Sequence, residues 1–226
     1  MTFWLNHRPC LCSAIPNVKR GMTLIADCGA NADCKPKNLV EFAAMSNIYS
    51  RKVLGLENPK VALANVGLEE GKGNDLVKRS YEEIKKLDLN FIGNVEAREV
   101  INAYTDIIIC DGFTGNILLK SAEGVALSVM SLIKETFMAS TKSKIGALLI
   151  KDDLRKLKSF IDYSEYGGAP LLGLNGGVIK AHGSSDAKAI KNAINQGIKF
   201  SKGKVVEDIN QFISKYNEEN KNNEDE

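Results

Sequence analysis

Apolar residues in this chain gather in short unbroken runs rather than in strict alternation with polar ones. TLIADCG at 23–29, VALANVG at 61–67, NFIGNV at 90–95 and DIIICDG at 106–112 each close in a polar, glycine-bearing loop and lead into a helical pattern, the rhythm of repeated strand–helix units. Runs that are apolar throughout are expected where helices cover both faces of a parallel sheet. A shorter run with similar loop chemistry, GVIKAHG at 177–183, is predicted as a fifth strand.

The intervening segments carry helical spacing. After Pro36, a favoured first-turn residue, Phe42, Met45, Tyr49 and Val53 recur on one face and Gly55 supplies a stop. Val77, Tyr81, Ile84 and Leu87 do the same over the next crossover, and Ala126, Met130, Ile133 and Phe137 over a longer one. Ala189, Ala193 and Gln196 or Gly197 mark a helix packed at close range. Residues 8–214 are therefore expected to form one α/β domain that includes an amphipathic helical hairpin at 142–161. In that hairpin Ile145, Ala147, Leu148, Leu149 and Ile150 cluster between Lys142, Lys144 and Lys151, and Leu154, Leu157 and Ile161 follow beside Arg155, Lys156 and Lys158. Apolar residues ringed by bases suit shallow insertion into an anionic membrane surface. The same residues suit a dimer-forming helical pair with a solvated basic face.

Composition narrows the classes. At 226 residues, 44% hydrophobic and 26% charged, the chain falls in the globular range, and collagen-like or wholly disordered classes are excluded. A formal charge of +2 is too small for a generally basic nucleic-acid binder, so no nucleic-acid partner is expected. Basic residues predominate at 142–158 and acidic ones at 215–226, and that acidic end, KYNEENKNNEDE, is expected to be a disordered tail because it has almost nothing apolar to bury. Five cysteines without a CxxC pair encourage neither a disulfide framework nor a four-ligand zinc site, and suit a reducing cytosol. The start, MTFWLNHRPCLCSAIP, has no signal-peptide layout, and no run of about 18 apolar residues occurs, so neither export nor a membrane span is expected.

In open α/β sheets ligands bind beyond the carboxyl ends of strands, where helix N-termini present unpaired N–H groups. The unusual residues sit in such places: 27–35, 65–74, 93–96, 111–116 and 182–186. Five loops of this kind are expected to share one polar rim. Gly71-Lys72-Gly73 before a helix suits an oxyanion, with a solvent-exposed turn lysine as the plain alternative. It is no Walker A loop, because the GxxxxGK[ST] spacing is absent. DGFTGN at 111–116 combines glycines with a hydroxyl and an amide, or is an ordinary turn with Thr114 or Asn116 as helix cap. His182, one of two histidines, follows a strand and precedes a helix start, a position suited to an acid or base near neutrality. Cys34 beside Lys35 is set aside as a nucleophile, since no base is evident and inert buried cysteine is the commoner case.

Taken together, RPCLCSAIPNVKRG, DCGANADCKP, GLEEGKGND, FIGNVEARE, CDGFTGNILLK and DYSEYGGAPLLGLNGGVIKAHGSSDAKAIKNAI resemble the bacterial phosphate acyltransferases of phospholipid synthesis, from about Arg8 to about Val205. The resemblance implies transfer of a fatty acyl group from acyl carrier protein to inorganic phosphate, giving acyl phosphate. The implied fold is like that of isocitrate dehydrogenase and phosphotransacetylase: α/β/α layers with a largely parallel sheet. No metal and no tightly bound cofactor are implied. Homodimers, a cytoplasmic location and peripheral attachment to the membrane are. Lys72, His182 and Lys35 become the expected catalytic residues. The expected substrate-binding set is Asn31, Asp33, Gly71, Gly73, Asn94, Asp111, Gly112, Thr114, Gly115, Asn116, Gly183, Ser184 and Ser185; Ile145, Ala147, Leu148, Leu149 and Ile150 become the expected membrane contacts.

Family members carry an N-terminal segment with a first strand and a Gly-Gly-Asp loop, and nothing similar precedes Arg8. The expectation is a truncated member lacking a sheet edge and part of the substrate rim. Two other readings remain open: a phosphate acetyl- or butyryltransferase using acyl-CoA, and a catalytically silent fragment that binds carrier protein or a membrane.

Overall fold

The computed structural model describes residues 7–19, 21–161, 167–183 and 185–224. Four of the predicted apolar runs form a parallel block: β2 (Met22–Ala26), β3 (Val61–Asn65), β4 (Phe91–Glu96) and β5 (Ile107–Ile109). Two strands not anticipated from the pattern, β1 (Cys10–Pro16) and β6 (Ala169–Leu172), join with β7 (Val178–Lys180) through antiparallel pairing. The seven-stranded sheet has the order β4-β3-β5-β2-β1-β6-β7. Alternating the directions across β1, β6 and β7 leaves β6 running with the parallel block, and only β1 and β7 running against it.

Helices cover both faces, which is why the central strands are apolar on both sides. On one face lie α1 (Pro36–Lys52), α2 (Asp75–Ile84), α6 (Ala187–Lys202) and α7 (Val205–Glu224). Phe42, Met45 and Tyr49 of α1 are buried there against Leu24, Leu63, Ile107 and Ile109. The predicted close approach of α6 holds: Ala189 and Ala193 are buried, and a Cβ on Gly167 would lie 2.8 Å from the Ala193 nitrogen. On the other face α3 (Gly112–Met138) lays Leu119 against Ile25, Ile108 and Cys110.

The acidic end differs from its expectation. Helix α7 continues into the stretch expected to be disordered, as far as Glu224; Phe212, Ile213 and Tyr216 pack against the α1-side core and Lys37 Nζ donates to Asn217 Oδ1 at 2.7 Å.

Beyond its first turns α3 leaves the sheet as an arm, with Val125, Leu127 and Leu132 each more than 60% exposed. It is the one helix among the described residues long and apolar enough, by length and composition, to cross a membrane. Its root is nonetheless held in the sheet layer by buried Gly112, Gly115 and Leu119. The arm leads to α4 (Thr141–Leu149) and α5 (Lys151–Ile161), the two helices of the predicted hairpin. Ser140 opens α4 by accepting the Ser143 N–H at 3.1 Å.

Candidate active site

Four of the five loops meet at the carboxyl ends of β2, β3, β4 and β5. Asp27 organises them. Wholly buried, its carboxylate accepts from the main-chain nitrogens of Leu11, Gly29, Ala30 and Asn31 and from Asn31 Nδ2, at 2.7–3.2 Å. Asn31 Nδ2 also donates to the Pro9 carbonyl at 2.7 Å, so this amide nitrogen is engaged by the fold. The Asn31 carbonyl accepts from Gly112 N at 2.7 Å. Gly112 and Gly115 are glycines because α3 presses on this knot: a Cβ on Gly115 would stand 1.9 Å from the Asp27 carbonyl oxygen. Both are buried in this contact.

Asp111 is the N-cap of α3, accepting from Thr114 N at 2.7 Å and Thr114 Oγ1 at 3.1 Å. The cap is thus neither Thr114 nor Asn116. Lys35 and Asp33 are exposed at the start of α1, where Arg8 donates to the Asp33 carbonyl. Cys34 lies alongside with its thiol pushed up to about 11, chiefly by burial and then by Asp27 and Asp111, which removes thiolate chemistry near neutrality.

The Lys72 loop is pinned from three sides. Asn65 Nδ2 donates to the Lys72 carbonyl at 3.1 Å, and Asn94 Nδ2 to the Glu69 carbonyl at 2.9 Å. Tyr81 Oη donates to Glu70 Oε1 at 2.8 Å, with Lys85 Nζ on the same oxygen at 3.2 Å. Asn94 is therefore a buried strut. Gly73 takes φ +93° beside Asn65, a turn that only glycine enters without strain. The loop delivers an exposed Lys72 just before α2, whose cap is Asn74. Lysine, glycine backbone and helix start are together, as the motif predicts.

His182 departs from the expected single rim. β7 runs against β2, β3 and β5, so its carboxyl end leaves the sheet where those strands begin. In the sheet order β7 is also five positions from β3, about 24 Å at roughly 4.8 Å per strand. His182 and Lys72 are not brought together.

Instead His182 lines a cavity of about 920 Å³ walled by residues of β1, β2, α1, α3, the segment entering β6, and α6. Asn116 and Ser185 line it too, as do Lys120, Lys180, Lys199 and Gln196. Asn116, which packs over Gly29, joins this cavity to the rim. Ser185 N donates to the His182 carbonyl at 3.0 Å and Asp186 caps α6 through Ala189 N at 2.8 Å. Gly183 is exposed in that loop, and Ser184 lies outside the described residues.

The cavity exists because β1 pairs with β6 only at Cys10 and Leu11, after which the two strands part. Its walls alternate apolar side chains such as Leu11 and Leu24 with the polar groups named above. Glu123 also lines the space and pairs with Lys120 Nζ at 2.7 Å, which leaves the imidazole, the amide, Lys180 and Lys199 as the groups that can hold an anion, donate to a developing oxyanion and protonate a leaving group. Sequence reading missed Lys120, Lys180, Lys199 and Gln196, whose spacing carries no motif. Only the strand–helix geometry collects them.

A family profile described as "Fatty acid synthesis protein" matches residues 6–208. Among relatives, a phosphate acyltransferase of Alkaliphilus oremlandii is 56% identical over 207 residues, covering 92% of this chain and 62% of the relative. One from Brevibacillus brevis is 51% identical over 209 residues, covering 92% and 62%. The chain thus spans less than two thirds of the length of these relatives. Among solved structures, the EutD phosphotransacetylase from Staphylococcus aureus is similar with a TM-score of 0.54 at 15% identity, over 87% of this chain and 54% of that one. A phosphotransacetylase from Streptococcus pyogenes gives 0.55 at 16% identity, over 92% and 57%. At these identities the likeness speaks for the fold, which agrees with the phosphotransacetylase-like architecture expected from the sequence.

Proposed function

The chain belongs to the fatty acid synthesis protein family, and from that premise we propose that it transfers a fatty acyl group from acyl carrier protein to inorganic phosphate, giving acyl phosphate for phospholipid synthesis. The naming of its relatives as phosphate acyltransferases supports this. The observation that carries the reading to particular residues is the cavity shared by His182, Asn116, Ser185 and three lysines. A phosphate oxygen attacks the thioester carbonyl, the carbon–sulfur bond breaks, and the products are an acyl phosphate and a thiol. Lys180 and Lys199 hold the dianion, Asn116 and Ser185 donate to the oxyanion, and His182 gives the leaving sulfur its proton. The Lys72 rim, joined to the cavity through Asn116, is the second place where phosphate charge is held.

The test is acyl phosphate formation by this chain, alone and together with the remaining part of a relative's length, using acyl carrier protein or coenzyme A as the acyl carrier. Product from the carrier-protein thioester supports the reading. Product only from the coenzyme A thioester replaces it with a phosphate acetyl- or butyryltransferase. No product under either condition, from a folded protein, leaves a silent binding fragment.

On location, the reading is a cytoplasmic homodimer that touches an anionic membrane. Leu148 and Leu149 are 69% and 81% exposed on α4, Ile145 and Ile150 are also exposed, and Ala147 is half-buried among them. Lys142, Lys144 and Lys151 stand beside this cluster, each able to contribute about 1 kcal/mol near an anionic surface. Leu148→Glu with Leu149→Glu abolishes sedimentation with anionic vesicles and leaves the fold intact. Unchanged sedimentation, or none by the parent chain, leaves α3–α5 as a dimer-packing unit.

A further inference from the structure

Where β1 and β6 part, alternate residues of β1, Cys12 and Ala14, turn their main chain away from β2, and Ala14 is the less buried of the two. Leu24 N donates to the Asp106 carbonyl, and Cys110 N to the Ala26 carbonyl, both at 2.8 Å. Leu24 and Ala26 therefore spend their main-chain groups on β5. Ala14 pairs with Leu24 across β1 and β2, so the two form a non-hydrogen-bonded pair, and the Ala14 N–H and C=O point away from β2. Ala14 is half-buried, lines the cavity and lies beyond the β1–β6 pairing. No main-chain partner on that side is found for it among the described residues.

We propose that this open edge of β1 at Ala14 binds the extended, amide-bearing pantetheine arm on which acyl carrier protein and acyl-CoA alike present a thioester. The inference rests on the acyl-transfer reading and adds where the donor's arm lies. A secondary amide offers one N–H and one C=O, the complement of the pair Ala14 presents, as when a strand is added to a sheet edge. A hydrocarbon chain against this stretch would leave both groups without a partner and shielded from water. Leu11 and Leu24 beside it suit the arm's methylene groups, and about 920 Å³ is room for a small extended ligand. His182 and Asn116 line the same space, which places a thioester at the arm's end within the polar part of the cavity.

Free pantetheine, carrying neither protein nor nucleotide, is the probe. Its binding to the whole chain is measured at equilibrium, with amide hydrogen exchange followed at Ala14. The expected result is slowed exchange at Ala14 and an affinity about five- to tenfold lower in Ala14→Pro, the loss of one hydrogen bond. Proline removes an N–H that the β1–β2 ladder does not use, a position where edge strands tolerate it. Thermal melting verifies that the variant is folded. Should it unfold, Ala14 exchange in the parent with and without pantetheine decides alone. Unslowed exchange at saturation, or equal affinity of a folded Ala14→Pro, overturns the site and points to a polypeptide strand as the occupant. Coenzyme A and holo-acyl carrier protein run in parallel assign the natural source by their relative affinity, and either assignment with Ala14 protected supports the site. Protection of Ala14 without acyl phosphate from any donor would overturn the function and leave the site. Acyl phosphate formed with an unchanged donor KM in Ala14→Pro would do the reverse.

Discussion

The rim at the carboxyl ends of the parallel strands and the cavity beside β1 are built on opposite plans. In the rim most polar groups found by their motif are already engaged: Asp27 with five donors, the Asn31 amide nitrogen with Asp27 and Pro9, Asp111 with Thr114, and the amide nitrogens of Asn65 and Asn94 with the Lys72 loop, while the buried Asn94 Oδ1 has no partner among the described residues. Its exposed charges, Lys35 and Lys72, ride on this fixed frame. The cavity takes its polar residues from α3, β7, the β7–α6 loop and α6, with no shared motif, around a space the sheet leaves open. A dense motif can thus signal a loop that must solvate itself, while the cavity is assembled from residues scattered along the chain.

The strongest way to break this contrast is Asp27→Ala. If the rim is a self-solvating frame, stability falls by about 3–5 kcal/mol in a denaturant titration, because five donors lose their acceptor. A loss under about 1 kcal/mol would mean that the knot is dispensable and the carboxylate is kept for chemistry.

Next in size is the comparison of His182→Ala with Lys72→Ala, in whichever form sustains turnover. Loss of a proton donor in the cavity lowers kcat/KM about a hundredfold, or about 2.7 kcal/mol. Loss of Lys72 lowers it by about tenfold, mainly through the KM for phosphate. A larger effect at Lys72 moves the reacting centre to the rim.

Glu41 sharpens the comparison by separating stability from chemistry as pH changes. It is fully buried on α1, neither carboxylate oxygen has a hydrogen-bond partner among the described residues, and Lys37 Nζ is 3.9 Å away. Burial pushes its pKa up to about 7, against the smaller opposing pulls of Lys37 and of the neighbouring Asn38 side chain. The folded state then holds a proton that the unfolded state has released, so stability falls as pH rises from the unfolded value near 4.5 through 7. Glu41→Gln flattens that dependence and adds about 1–2 kcal/mol at pH 8, measured by urea unfolding across the range. Any change of activity over the same range that survives in Glu41→Gln then belongs to the site. An identical pH profile of stability in the two proteins would disprove the assignment.

The smallest effect is expected from Thr114→Val, which removes the 3.1 Å bond to Asp111 Oδ2 but keeps the backbone cap. A cost of about 0.5–1 kcal/mol in stability with unchanged turnover fits a capping role. A tenfold loss of turnover would return Thr114 to the substrate set.

The parallel strands were legible because each is a continuous apolar run closed by a glycine loop. β1 and β6 were not. β1 carries Ser13 and ends at Pro16, β6 has only four residues, and their pairing joins Cys10 to Leu172 across most of the chain. The individual loops of the site could be read locally. Their division into rim and cavity depends on the reversed direction of β7, which no local pattern encodes. The acidic end was misread by composition: Tyr216 is a single aromatic, yet with Phe212 and Ile213 it gives α7 enough to pack on.

The contact between the Asp27 loop and the root of α3 also governs how this chain tolerates recombination. Gly115 fits against one particular carbonyl, Gly112 donates to another, and both carbonyls belong to a loop more than eighty positions earlier in the chain. A chimera that exchanges residues 27–33 with those of a distant phosphotransacetylase must bring that protein's helix start with them. A crossover placed between the two segments splits a single unit of inheritance, whereas one placed in the exposed turn after Val53 leaves α1 and its loop together but still parts them from α3. Parents sharing both glycines and the aspartate escape this restriction, and among their hybrids a break anywhere between the two segments is neutral at this contact.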